Sequence, residues 1–155
     1  MLPNRTMLSD AEGAALAPDV SGLPSSADVL AARLAFPAGL EQPEGSFRFS
    51  ADALLLAAYA SRRFSPNVAT RFIDLGTGCG IVAHACMLLS GNMALGWGID
   101  CYPALIEAGI RNAQRLGLAG SLRFLCGDLR DSVFLKQMSN KIGLVDAVIS
   151  NPPWR

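Results

Sequence analysis

The sequence is short of the residues that build metal centres and disulfide scaffolds. Among its 155 residues are one histidine, His84, and four cysteines, Cys79, Cys86, Cys101 and Cys126, with no C-x-x-C pair. Zinc needs three or four ligands at compatible spacing, so no metal site is expected. A disulfide framework does not suit a chain of this size and pattern, which points to reduced thiols and a cytoplasmic setting. Long apolar runs are also missing. No stretch reaches the ~18 residues needed to cross a bilayer, so no membrane partner is expected. Asp10, Glu12 and Asp19 interrupt the N-terminal stretch, which therefore reads as no secretory signal. Nor does one sign of charge dominate. Thirteen Lys and Arg balance thirteen Asp and Glu, which argues against tight non-specific nucleic-acid binding but leaves room for a local basic rim.

What is present suits a folded domain. Apolar residues make up 51% of the chain and charged ones 17%, enough to bury a real core. Residues 1–28, rich in Pro, Ser, Gly, Ala and Asp without a period, read as a flexible N-terminal extension. Residues 29–70 read as a helical lead-in. Within it "QPEGSFRF" suggests a turn and a short extended piece, and Ser50 is placed to N-cap a helix from Ala51 to about Arg63. Asp52 in its first turn and Arg62 and Arg63 in its last suit the helix dipole.

From residue 71 to 155 the pattern alternates. "RFIDL" is a strand, "GTGCG" a glycine turn, and "IVAHACMLLS" a helix in which His84 is an ordinary member. "ALGWGID" is a second strand, and "PALIEAGIRNAQRLG" a helix opened by Pro103 and closed by Gly117. "SLRFLCGD", "LRDSVFLKQMS" and "GLVDAVISN" follow as strand, helix and strand. Such alternation predicts an α/β fold with right-handed crossovers and a mostly parallel sheet. The fourth strand carries Leu144 and Val148 on one face and Val145, Ala147 and Ile149 on the other, the pattern of an interior strand.

Gly76, Gly78 and Gly80 follow a strand and open a helix. There the backbone can turn sharply and bring amide N–H groups close to a ligand. The dinucleotide fingerprint G-x-G-x-x-G would need a glycine where this chain has Ile81. The spacing is G-x-G-x-G, with Thr77 inside it and Asp74 two residues ahead. Asp100 ends the second strand and can accept both hydroxyls of a ribose. Asp128 ends the third, beside Leu129, within reach of an adenine amino group. All three acids lie at carboxyl ends of strands, where open α/β sheets bind ligands.

Taken in order, "FIDLGTGCG", "GWGID", "CGDL" and "ISNPPW" resemble the class I S-adenosylmethionine-dependent methyltransferases over residues 36–155. The resemblance implies a Rossmann-like, doubly wound sheet with S-adenosylmethionine as cofactor. Asp74 and the Gly76–Gly80 loop would hold its methionine end, Asp100 its ribose, and Asp128 with Leu129 its adenine. Upstream, "FPAGLEQPEGSFRFSADALLLAAYA" is similar to the start of bacterial enzymes that methylate adenine N6 beside the anticodon of a valine tRNA. On that likeness Ser50 and Asp52 border the cofactor site; read alone, they are a helix cap and a first-turn acid.

The chemistry of Asn151-Pro152-Pro153-Trp154 fits the same reading. An exocyclic amino nitrogen is a poor nucleophile because its lone pair is delocalised into the ring. Two acceptors, the Asn151 side-chain carbonyl and the Pro152 backbone carbonyl, would draw it toward tetrahedral geometry. Pro153 stiffens the turn, and Trp154 offers a stacking face worth ~1–3 kcal/mol per base. The family attaches this motif to planar amino groups in DNA, RNA and a glutamine amide, usually with Tyr or Phe in place of Trp154. The expected partner is RNA, a tRNA, with its target base out of the stack. Protein glutamine methylation, a non-catalytic cofactor-binding piece and a nicotinamide-binding domain remain alternatives. In the family the strand order begins 3-2-1-4, and three further strands follow. The chain is therefore expected to be a truncated methyltransferase domain, with self-association through its strand-4 edge.

Overall fold

The computed structural model describes residues 24–91 and 93–152. In chain order the elements are α1 (Ser26–Ala35), α2 (Ala51–Ser61), β1 (Thr70–Leu75), α3 (Ile81–Leu89), β2 (Ala94–Asp100), α4 (Pro103–Arg115), β3 (Leu122–Cys126), α5 (Ser132–Ile142) and β4 (Ala147–Ser150). The four strands form one parallel sheet in the order β3-β2-β1-β4. Strand order reverses at β1, so the carboxyl ends of β1 and β4 lie side by side, with Leu75 opposite Ser150. The Ser150 hydroxyl donates to the Leu75 carbonyl at 2.9 Å and pins that junction.

Alternation along the strands splits the core in two. Phe72, Leu122 and Ile149 join α2, α3 and α4 on one face, while Ile73, Trp97 and Ile99 meet Ile142, Phe134 and Met138 of α5 on the other. Helix α3 is buried from Ile81 through Met87, which explains its lack of a polar stripe. The glycines of "GWGID" serve close packing. A Cβ on Gly98 would lie 2.7 Å from the Phe124 ring, and one on Gly109 of α4 would meet the same ring at 2.7 Å. Glycine at both positions lets α4 press the Phe124 ring against the sheet.

Several elements differ from the sequence reading. Residues 26–28, expected in the extension, begin α1. Ser25 caps it: its hydroxyl accepts the Asp28 N–H at 3.2 Å, and Asp28 accepts the Ser25 N–H at 3.2 Å. This reciprocal box starts a helix without apolar periodicity before it. Ser50 takes the N-cap position of α2, yet its hydroxyl donates to the Asp52 carboxylate and makes no cap bond. Arg63 lies beyond the helix end but still serves it, donating to the Tyr59 carbonyl at 3.1 Å and stacking 3.6 Å over the Tyr59 ring. "SFRF" pairs with no strand among the described residues and runs as a loop.

Helix α5 begins at Ser132, because the Asp131 side chain accepts the Val133 N–H at 2.8 Å and caps it there. The fourth strand is shorter than "GLVDAVISN". Gly143 ends α5 with φ 73°, and Asp146 is held to β1 by its side chain and its N–H, both 2.8 Å from Arg71 backbone atoms. Leu144 is 93% exposed and Val148 62%. Among the described residues β4 pairs with β1 alone, so it stands at an edge of the sheet, as expected, although its composition is that of an interior strand.

Candidate active site

The carboxyl ends of the strands open into one cavity of about 730 Å³. Its floor is the turn after β1. The Thr77 N–H donates to the Ile99 carbonyl at 3.0 Å, tying the turn to β2. The Thr77 hydroxyl donates to Asp74 Oδ2 at 2.6 Å. The Gly78 N–H donates to Asp100 Oδ2 at 2.9 Å, and the Tyr102 N–H donates to Asp100 Oδ1 at 3.1 Å. Each Asp100 oxygen thus spends one bond on backbone and keeps capacity to accept another.

The three glycines have separate reasons to be glycine. Gly76 and Gly78 have φ of 67° and 58°, and a Cβ on either would meet nothing within 4 Å. They line the cavity and leave its floor as bare backbone. Gly80 also has positive φ, 88°, but a Cβ there would strike His84 and Phe124 at 2.6 and 2.7 Å. Gly80 is outside the lining, and its constraint is packing.

Electrostatics divide the acids. Asp74 is 1% exposed. Burial pushes its carboxyl up to about 7; hydrogen bonds from Thr77 and the Ala83 backbone pull it back, and the Asp100 charge adds to the rise. Asp128 sits on the rim with Arg130, whose Nη2 lies 2.7 Å from Oδ2. The Arg130 side-chain and backbone hydrogen bonds hold Asp128 down at about 2, so it is a carboxylate throughout the neutral range. His84 is fully buried, with no hydrogen-bond partner for either ring nitrogen. Desolvation lowers it to about 4, so it is neutral at pH 7.

Asp74, Gly76, Thr77, Gly78, Asp100, Asp128, Leu129, Ser50 and Asn151 all line this cavity. Residues as far apart in the chain as Ser50 and Asn151 therefore face one space. Three others do not line it: Gly80, Asp52 and the exposed Pro152. Asp52 instead accepts a hydrogen bond from Asn151 Nδ2 at 3.3 Å. Pro153 and Trp154 lie outside the described residues.

Some contributors escaped the sequence reading. The loop carrying Phe47 and Phe49 forms one wall, and Tyr102 and Leu105 another. The first wall is anchored by Asn112, 2% exposed on α4. Its amide donates to the Glu41 and Cys79 carbonyls at 3.0 and 3.3 Å and accepts the Glu41 N–H at 2.8 Å. Arg111 adds a two-pronged ion pair to Glu41 at 2.7 and 2.8 Å. The available signal was an asparagine on the apolar face of a helix, which needs partners to be buried.

No protein-family model matches the chain. Its fold is nevertheless the Rossmann-like fold of the class I S-adenosylmethionine-dependent methyltransferases, and its relatives include methyltransferases. It is 37% identical over 84 residues to the release factor glutamine methyltransferase of Rhodospirillum rubrum, covering 54% of this chain and 23% of that protein. It is 26% identical over 117 residues to the tRNA1(Val) (adenine(37)-N6)-methyltransferase of Porphyromonas gingivalis, covering 74% and 44%. Among solved structures, a protein-L-isoaspartate O-methyltransferase superposes with a TM-score of 0.51 at 17% identity, over 71% of this chain and 32% of that one. The chain thus spans less than half the length of these relatives. The cofactor of the class fits the donor set here: a bare glycine floor, a half-buried acid with free acceptor capacity, and a buried acid beside them.

Proposed function

We propose that this chain provides the cofactor pocket and amine-binding turn of an S-adenosylmethionine-dependent N-methyltransferase acting on adenine N6 of RNA, a tRNA. One observation carries the reading: Gly78 and Asn151 line the same cavity at the point where strand order reverses. When bound, the cofactor supplies an electrophilic sulfonium methyl group. Asp74 and the backbone of residues 76–79 would hold its methionine end, Asp100 its two ribose hydroxyls, and Asp128 with Leu129 its adenine.

The chain's own part is to make an amine reactive. The Asn151 side-chain carbonyl and the Pro152 backbone carbonyl accept one N–H each from the target amino group. Both acceptors hold the N–H bonds away from the ring plane, which uncouples the nitrogen's lone pair from the ring and localises it. Two consecutive prolines in the sequence would stiffen the chain here, so that little reorganisation is needed at the moment of transfer. Trp154 supplies a face on which the extruded base can stack.

The P. gingivalis relative's name supports adenine in tRNA. A second reading, a glutamine side-chain amide, is supported by the R. rubrum relative's name, and the same two acceptors suit a planar amide. The test is incubation with radiolabelled S-adenosylmethionine and either unmodified tRNA or a Gly-Gly-Gln peptide, beside Asn151→Ala. The RNA reading expects label on an adenine of tRNA, lost in Asn151→Ala with cofactor affinity retained. Label on the peptide alone establishes the second reading. Cofactor binding by calorimetry without transfer to either would make this a binding module, and preference for NAD would overturn the cofactor assignment.

A further inference from the structure

The amide of Asn151 can serve as an acceptor only if its carbonyl oxygen, and not its NH₂, faces the incoming amine. The two ends are nearly the same shape, and a free Asn side chain rotates between them. Something must choose. The choice lies 99 residues away, on the first turn of α2: Asn151 Nδ2 donates to Asp52 Oδ2 at 3.3 Å. A carboxylate offers only acceptors, so the opposite rotamer would set two oxygens against each other. The Ser50 hydroxyl donates to the other oxygen, Asp52 Oδ1. Asp52 is thus tethered on one side by the loop entering α2 and faces Asn151 on the other.

From this contact we infer that Asp52 is a positioning residue for the amine acceptor: it fixes the Asn151 amide with its NH₂ turned to α2 and its carbonyl oxygen left for the substrate. The inference rests on the proposed N-methyltransferase reading, and it moves Asp52 from the cofactor to the amine. The geometry agrees, because Ser50 and Asn151 line the cavity and Asp52 does not. The contact also ties α2 to the end of β4.

Three variants separate positioning from folding: Asp52→Ala, Asp52→Leu and Asp52→Asn. The first two remove the acceptor. The third keeps a carbonyl that can still accept from Asn151 Nδ2 while removing the charge. For the amine substrate that the wild type methylates, Asp52→Ala and Asp52→Leu should lower kcat by ~10–100-fold, the range expected when a reacting group is misplaced. Calorimetric affinity for S-adenosylmethionine should stay within about 3-fold by the same positioning argument. Asp52→Asn should recover at least a third of the lost factor on a logarithmic scale.

A second readout needs no turnover. The Asn151 side-chain NH₂ pair, assigned in ¹⁵N–¹H spectra by its loss in Asn151→Ala, should shift in Asp52→Ala and Asp52→Leu and stay near its wild-type position in Asp52→Asn. If the wild type methylates no amine yet the NH₂ signals shift in this order, the functional reading fails and the orientation stands. Unchanged NH₂ signals in Asp52→Ala, or a kcat equal to wild type, overturn the inference. So does a loss that falls on cofactor affinity instead of kcat.

Discussion

Asp74 and His84 are buried titratable groups with opposite pH signatures, and replacing one should expose the other. Burial raises Asp74 from 3.8 to about 7 and lowers His84 from 6.5 to about 4. An acid whose folded pKa is raised binds more protons folded than unfolded. Its favourable contribution is complete below pH 3.8 and lost as pH climbs to about 7. At 1.36 kcal/mol per pH unit that window is worth ~4 kcal/mol. A base whose folded pKa is depressed behaves in reverse. The unfolded chain takes up the proton first as pH falls, so stability rises between pH 4 and 6.5, by ~3 kcal/mol. The two slopes overlap and nearly cancel in the wild type. Asp74→Asn keeps an acceptor for the Thr77 hydroxyl and removes the acid's slope. Urea unfolding of both proteins at half-unit intervals from pH 4 to 8 measures this directly. The stability of Asp74→Asn relative to wild type should climb by ~4 kcal/mol across that range, because contributions from every other group are common to both. A difference constant to within ~0.5 kcal/mol would refute the buried-acid account.

Three further outcomes follow from the same structure. If Asp74 meets the ammonium group of the cofactor, that charge favours its ionised form. Calorimetry in buffers of differing ionisation enthalpy should then show proton release on binding near pH 7, absent in Asp74→Asn. Gly78→Ala places a Cβ at φ 58° in open space, so it should cost ~1–2 kcal/mol in urea unfolding and weaken cofactor binding at least 10-fold. Phe72, fully buried at the centre of the sheet, should cost ~3–5 kcal/mol on replacement by Ala, seen as a lowered urea midpoint with the slope unchanged.

Much of the fold was legible because its signals are local. The alternation from Arg71 to Ser121 set β1, α3, β2 and α4 close to their observed limits, since strand and helix periods and the glycine and proline stops act within a few residues. The reading slipped where a side-chain bond decides the boundary. Ser25 with Asp28 starts α1, Asp131 delays α5, and Asp146 on Arg71 shortens β4. Apolar pattern carries no trace of these.

The chain's composition and order decided that an α/β domain forms, that three acids and a glycine turn end its strands, and that an Asn-Pro-Pro-Trp tetrapeptide follows the fourth. Those properties come from residue period and position, which a linear string records. Tertiary packing alone decided the rest: the Asp100 carboxylate on the Gly78 amide, the Asn112 anchor under the N-terminal wall, the suppressed ionisation of Asp74, and Asp52 on Asn151. Each depends on distance and dielectric between groups brought together across the fold, and neither quantity exists until the sheet has closed them into one site.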